Sequence, residues 1–178
     1  MFTQDINKRN MKMRKIKFLV MDVDGTLTDG KIYMSNDGEA MKAFNIKDGC
    51  GIKDILPLYN IIPVIITGRS SKIVENRCRE LEIKELYQGV RDKTVKLSEI
   101  LCNYSNMNDE EYSFENVAYI GDDLLDLDCM GKVIESGGVV GCPNDAIKDI
   151  IRIADFVSNC NGGAGAVREF IEWIVEQE

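Results

Sequence analysis

From position 16 onward the chain alternates short apolar runs with amphipathic stretches. The runs at 16–21, 61–66, 85–87, 117–120, 139–140 and 156–157 are β-branched or aromatic in flavour and read as buried strands. Helical spacing fills most of the gaps. Over 71–81, Ile73, Val74, Arg77, Cys78 and Leu81 share one face, and from Asp92, a suitable N-cap, Leu97, Leu101 and Tyr104 line up. A third helix is predicted from Pro143, with Ile147, Ile150 and Ile151 facing the core. Strands alternating with helices predict an α/β fold built on a parallel sheet. The exception is 31–44, where Ile32, Met34, Ala40, Ala43 and Phe44 flank the turn signal Ser35-Asn36-Asp37-Gly38, the pattern of a protruding β-hairpin. The polar stretch 103–116, with Asp109, Glu110 and Glu111, reads as a solvated loop or short helix.

Composition narrows the function classes. The 178 residues are 44% apolar and 29% charged with three Pro, which fits one folded domain rather than a disordered chain. A net charge of −8 argues against a phosphate-backbone binder, so no nucleic-acid partner is expected. No apolar run approaches the length that spans a bilayer, and no membrane association is expected. With no His, Ser-His and Cys-His nucleophile pairs and imidazole zinc sites are excluded. Cys50, Cys78, Cys102, Cys129, Cys142 and Cys160 form no C-x-x-C pair. With no secretory apolar segment at the start, they read as reduced thiols of a cytoplasmic protein. Lys8, Arg9, Lys12, Arg14 and Lys15 make the start basic. Residues 1–14 are therefore set apart as an extension, a solvated lead-in or a nucleic-acid arm, ahead of a single domain at 15–178.

The candidate chemistry sits where the apolar runs end. Asp22 and Asp24 follow the first run, Thr67 the second and Asp122 with Asp123 the fourth, while Lys93 opens the helix after the third. In an open α/β sheet these carboxyl ends converge on one crevice. Clustered carboxylates repel unless a cation lies among them, and Mg²⁺ is the expected partner of an all-oxygen set. A carboxylate can also attack phosphorus while metal and ammonium offset the charge on the transferring oxygens. The Asp24-Gly25-Thr26 backbone can offer N–H groups to the same phosphate. Calcium loops fail on spacing: Leu27 stands where the turn needs Gly and Tyr33 where the loop needs Glu.

Asp22-Val-Asp24-Gly25-Thr26-Leu-Thr28-Asp29-Gly30, Ile66-Thr67-Gly68-Arg69, Gly89-Val-Arg91-Asp92-Lys93 and Gly121-Asp122-Asp123-Leu-Leu-Asp126 together resemble the four motifs of haloacid dehalogenase superfamily phosphatases. The T-D-G extension, the G-x-x-D-K form and the segment Gly162-Gly163-Ala164-Gly165-Ala166-Val167-Arg168-Glu169 resemble its capless branch, which includes the phosphatases of 3-deoxy-D-manno-octulosonate 8-phosphate. The resemblance implies a Rossmann-like three-layer sandwich with a parallel central sheet and a protruding β-hairpin in place of a cap domain. It implies Asp22 as nucleophile, Asp24 as proton donor and then base, Thr67 and Lys93 on the phosphoryl oxygens, and Gly25, Thr26, Gly68 and Arg69 around the substrate. It implies Mg²⁺ on Asp22, Asp24 (through its carbonyl), Asp122 and Asp123, and a homotetramer joined by hairpins.

Several alternatives stand at this stage. The substrate is the eight-carbon keto-sugar acid phosphate of lipopolysaccharide synthesis or a nine-carbon, sialic-acid-type 9-phosphate. Arg69 pairs with a substrate carboxylate or bonds only within the protein. Asp126 is catalytic or structural, and the 162–165 glycines form a site loop or a connector. A phospho-receiver switch is disfavoured because Lys93 precedes Asp122 and Asp123, and a non-catalytic scaffold because every reactive position is filled.

Overall fold

The structure, a computed structural model, describes residues 16–177, so the basic extension at 1–14 lies outside the described residues. In chain order the elements are β1 (Phe18–Met21), β2 (Tyr33–Ser35), β3 (Gly38–Met41), α1 (Ile46–Cys50), β4 (Ile62–Ile66) and α2 (Lys72–Glu80). Then follow β5 (Glu85–Tyr87), α3 (Lys93–Asn108), β6 (Val117–Ile120), α4 (Leu124–Ser136), β7 (Val139–Cys142), α5 (Lys148–Ile153), β8 (Phe156–Val157) and α6 (Ala166–Val175). A π-helical turn at Gly51–Ile55 and a 3₁₀ turn at Leu56–Tyr59 carry the chain from α1 to β4.

Six strands form one parallel sheet in the order β5-β4-β1-β6-β7-β8, and β2 pairs with β3 as a separate antiparallel hairpin. Counting only the sheet strands, this is the doubly wound order 3-2-1-4-5-6, whose switch point lies between β1 and β6. The central strands are buried on both faces, which is why they are apolar throughout rather than alternating. Leu19 and Met21 face a layer holding Ile52, Leu56, Val74, Cys78, Phe170 and Ile171; Phe18 and Val20 face the opposite layer, with Leu97, Ile100, Leu101, Met130 and Val133. The three layers expected from the sequence are thus present.

Strand positions follow the sequence reading closely, and β7 extends the predicted 139–140 to Cys142. Helix ends depart from it in two places. Helix α5 starts at Lys148 instead of Pro143, because the chain first turns back, with Ala146 N–H on Pro143 C=O and Ile147 N–H on Asp122 C=O. The first part of the polar 103–116 stretch, residues 103–108, belongs to α3, which runs to Asn108 because Ile100, Leu101 and Tyr104 keep its inner face packed. Among the described residues no helix is long and apolar enough to cross a membrane.

Candidate active site

The switch point gathers the loops after β1 and β6 at one end of the sheet. Asp22 leaves β1 with its N–H on Ile120 C=O, so the first acidic residue is fixed to the end of the neighbouring strand. The next residues form a compact turn in which the Thr26, Leu27 and Thr28 N–H groups all point at Val23 C=O. Thr28, buried, pins this turn from within: its hydroxyl donates to Val23 C=O and accepts from Gly30 N–H at 3.3 Å. Thr26 therefore enters the site through its hydroxyl, which donates to Asp122 Oδ1 at 2.7 Å, and not through the backbone N–H expected from the sequence. Gly25 sits at φ +98°, and a Cβ there would lie 2.0 Å from Asp122 Oδ2, so the turn and the Asp122 carboxylate fit only around glycine.

The glycine-rich segment before α6 closes over this turn. A Cβ on Gly162 would stand 1.8 Å from Gly25 C=O, and Gly163 N–H donates to Thr26 C=O at 3.0 Å. Of the two sequence readings, a loop beside the site is the one found.

Lys93 is the hub of the buried charges. Its ammonium donates to Asp22 Oδ1 and to Asp126 Oδ1, both at 2.7 Å. Asp126 Oδ1 also accepts from the Tyr119 hydroxyl at 2.8 Å, and its Oδ2 accepts from the N–H groups of Asp122 and Asp123 at 3.1 and 3.3 Å. Asp126, left open between catalytic and structural roles, is therefore the anchor of Lys93, reached through a glycine: a Cβ on Gly121 would lie 2.4 Å from its carboxyl carbon. Asp123 goes elsewhere. It is exposed at the N-cap of α4 and accepts from Leu124 N–H at 2.7 Å.

The electrostatics of this cluster favour added positive charge. Asp22, Asp122 and Asp126 each bring a carboxylate oxygen within 4.8 Å of the others. Burial, then the Asp126 charge, push Asp22 up to about 6 against the pull of Lys93. Burial pushes Asp122 up to about 8; the Thr26 hydrogen bond opposes it, and the neighbouring carboxylates add to it. Burial works against the charge on Lys93, yet Asp22 and Asp126 outweigh it and hold its pKa above the usual lysine value. One ammonium among three carboxylates leaves net negative charge in a low-dielectric site, an environment made for a hard divalent cation. Asp126 already has donors on both oxygens, so Asp22 and Asp122 are the side chains suited to ligate it.

Asp24 lies outside that cluster, on the hairpin side. Lys42 Nζ donates to Asp24 Oδ1, and Arg69 Nε lies 3.7 Å from Asp24 Oδ2. Arg69 is half-exposed and also lies 3.8 Å from Glu39 Oε1. Thr67 directly follows β4, buried, and Gly68 comes next; a Cβ on Gly68 would meet the Leu125 side chain at 3.0 Å. The sequence reading missed Lys42, Glu39 and Tyr119. Lys42 and Glu39 lie on the hairpin, beyond any strand end of the main sheet, while Tyr119 reads as one more core aromatic inside β6.

No protein-family profile matches the chain, but relatives do. It is 45% identical over 164 residues to the 3-deoxy-D-manno-octulosonate 8-phosphate phosphatase KdsC of Salmonella typhi, spanning 92% of this chain and 81% of that protein. The corresponding Escherichia coli K12 protein is 44% identical over the same coverage. A crystal structure of the Yersinia pestis phosphatase superposes with a TM-score of 0.82 at 41% identity, covering 92% of this chain and 83% of that one. The Moraxella catarrhalis phosphatase, solved with magnesium, phosphate and a KDO molecule, superposes at 0.83 with 35% identity, covering 93% and 88%. Buried strand-end carboxylates around a lysine, a hairpin where a cap would stand and this degree of identity lead to one conclusion: the chain belongs to the 3-deoxy-D-manno-octulosonate 8-phosphate phosphatase family of the haloacid dehalogenase superfamily.

Proposed function

We propose that this chain is a Mg²⁺-dependent phosphomonoesterase that hydrolyses 3-deoxy-D-manno-octulosonate 8-phosphate in the cytoplasm, as a step toward lipopolysaccharide. The observation that carries this reading is the cluster of three carboxylates, Asp22 and Asp126 buried and Asp122 half-buried, with Lys93 bound to the first two, an arrangement suited to phosphoryl transfer. An Asp22 carboxylate oxygen attacks phosphorus, the ester P–O bond breaks, and Asp24 gives its proton to the departing sugar oxygen. The aspartyl phosphate so formed is hydrolysed when Asp24 takes a proton from water, whose oxygen attacks phosphorus and displaces the Asp22 carboxylate. Lys93 and Thr67 hold the phosphoryl oxygens, and Asp126 with Tyr119 keeps Lys93 in place. Mg²⁺, held by Asp22, Asp122 and the Asp24 carbonyl, would neutralise the clustered carboxylates and the charge on the transferring oxygens. Asp123, expected as a further ligand, serves here as the cap of α4. Gly25, Thr26, Gly68 and Arg69 border the space that the sugar acid enters.

The assembly belongs to the same proposal. The hairpin exposes Ile32, Met34 and Met41, an apolar surface suited to packing against other copies in a homotetramer. The test of function is Mg²⁺-dependent phosphate release from a panel of eight-carbon and nine-carbon keto-acid phosphates and simple sugar phosphates. Preference for the eight-carbon ester, abolished by excess chelator, is expected. Equal turnover of the whole panel would overturn the substrate, and undiminished activity in chelator would overturn the mechanism.

A further inference from the structure

Lys42 directly follows β3, and its side chain is 1% exposed although it carries a full charge. An ammonium is buried at tolerable cost only when partners hold it. Lys42 has two carboxylates: its Nζ donates to Asp24 Oδ1 and lies 3.0 Å from Glu39 Oε1. Arg69 bridges the same pair from the solvent side, 3.7 Å from Asp24 Oδ2 and 3.8 Å from Glu39 Oε1. Glu39 is in turn tied to the body of the protein by the hydroxyl of Ser71, the N-cap of α2. Two cations and two carboxylates thus form a closed group that joins the hairpin, the loop after β1 and the end of β4. Asp24 is on a turn with no regular secondary structure to fix its side chain, and Lys42 is the contact that does so.

We propose that Lys42 is a positioning residue: it fixes the Asp24 carboxylate and faces the negative charge that Asp24 acquires as its proton passes to the leaving oxygen. The inference rests on the assignment of Asp24 as proton donor in the proposed function. That charge is absent while Asp24 is protonated and grows as the ester bond breaks, so the ammonium favours the transition state over the bound substrate. Glu39 keeps Lys42 beside Asp24 and makes the hairpin part of the catalytic apparatus as well as a surface.

Leaving-group dependence separates this role from a merely structural one. A sugar alkoxide needs the proton from Asp24, whereas p-nitrophenolate departs without it. For Lys42→Met, kcat on 3-deoxy-D-manno-octulosonate 8-phosphate is expected to fall by about 30-fold or more with KM little changed, a part of the roughly 10²–10⁴-fold that general acid–base catalysis supplies. The first-turnover release of p-nitrophenolate from p-nitrophenyl phosphate should stay near the wild-type rate, which also reports an intact fold. Glu39→Gln should show the same pattern more weakly, and Lys42→Arg should recover part of kcat. Equal losses on both esters, a loss confined to KM or no loss at all would overturn the proposal; the KM outcome would instead make Lys42 a contact of the sugar carboxylate. A wild-type protein inactive on every ester would overturn the underlying phosphatase reading, an outcome distinct from a selective failure of the Lys42 variants.

Discussion

Lys93 occupies the first turn of α3, where the positive end of the helix dipole opposes an ammonium. Asp22 and Asp126 reverse that preference, and such a locally unfavourable placement marks a residue held for chemistry rather than for helix stability. Asp48 shows a related compromise away from the site. It is buried in α1, and its Oδ1 accepts from Arg168 N–H at 2.8 Å, so it supplies the N-terminal cap that Gly165 cannot give α6. Burial pushes its pKa up to about 6 from the ordinary 3.8, against those hydrogen bonds and the nearby Arg77 and Arg168 charges. Because the folded value is the higher one, the folded state holds the proton more tightly. This group's contribution is therefore most favourable below pH 4 and is lost as pH rises toward 6. Relative to Asp48→Asn, the wild type should lose up to about 3 kcal/mol of stability across that window and nothing more above it. Urea unfolding of both proteins at a series of pH values checks this, and a pH-independent difference would contradict it.

Element scale is where glycines decide the outcome. The 162–165 loop and the turn after β1 approach so closely that Gly162→Ala would place a methyl group 1.8 Å from Gly25 C=O. Separating the two loops should cost about 1–3 kcal/mol and displace the Asp22–Thr26 turn, with a matching fall in kcat. Gly131, inside α4 with nothing within 4 Å of its would-be Cβ, is the control. Gly131→Ala should stabilise by about 0.5–1 kcal/mol and leave activity unchanged. Thermal unfolding and steady-state assays of the pair decide the matter; equal behaviour of the two variants would refute the packing argument. These elements also mark what sequence reading reaches. The strands were legible because burial on both faces of a parallel sheet writes continuous apolar runs, and the hairpin because Ser35-Asn36-Asp37-Gly38 demands a turn. Helix α4 was hidden behind its acidic start, where Asp123 read as a ligand and Asp126 stood between a catalytic and a structural role, while both build its capping box. The start of α5 was misplaced because Pro143 suits a turn as well as a first helical position.

At the scale of the whole molecule, the doubly wound order places Asp22, Thr67, Lys93 and Asp122 at one end of the sheet, so the list of site residues could be written from the ends of apolar runs. Their pairing could not. That Lys93 bridges Asp22 and Asp126, that Thr26 holds Asp122 and that Lys42 holds Asp24 depends on side-chain geometry across separations of 33 to 96 residues for all but the last pair. The hairpin surface makes an assembly prediction at this scale. Met34 and Met41 are 64% and 54% exposed in the single chain, and a two-stranded hairpin alone gains little from burying them in itself. Light scattering at micromolar concentration should give a tetramer mass for the wild type and a smaller species for Met34→Asp with Met41→Asp; a monomeric wild type would refute hairpin-mediated assembly. The proposed chemistry turns on the Asp22 carboxylate as the nucleophile that bonds to phosphorus. Acid quenching during turnover of 3-deoxy-D-manno-octulosonate 8-phosphate with Mg²⁺, followed by borohydride reduction, converts an aspartyl phosphate to homoserine. Peptide mass mapping should find homoserine at position 22 and not at 24, 122 or 126, and only when substrate and metal are both present; an unmodified Asp22 alongside full turnover would contradict the nucleophile assignment.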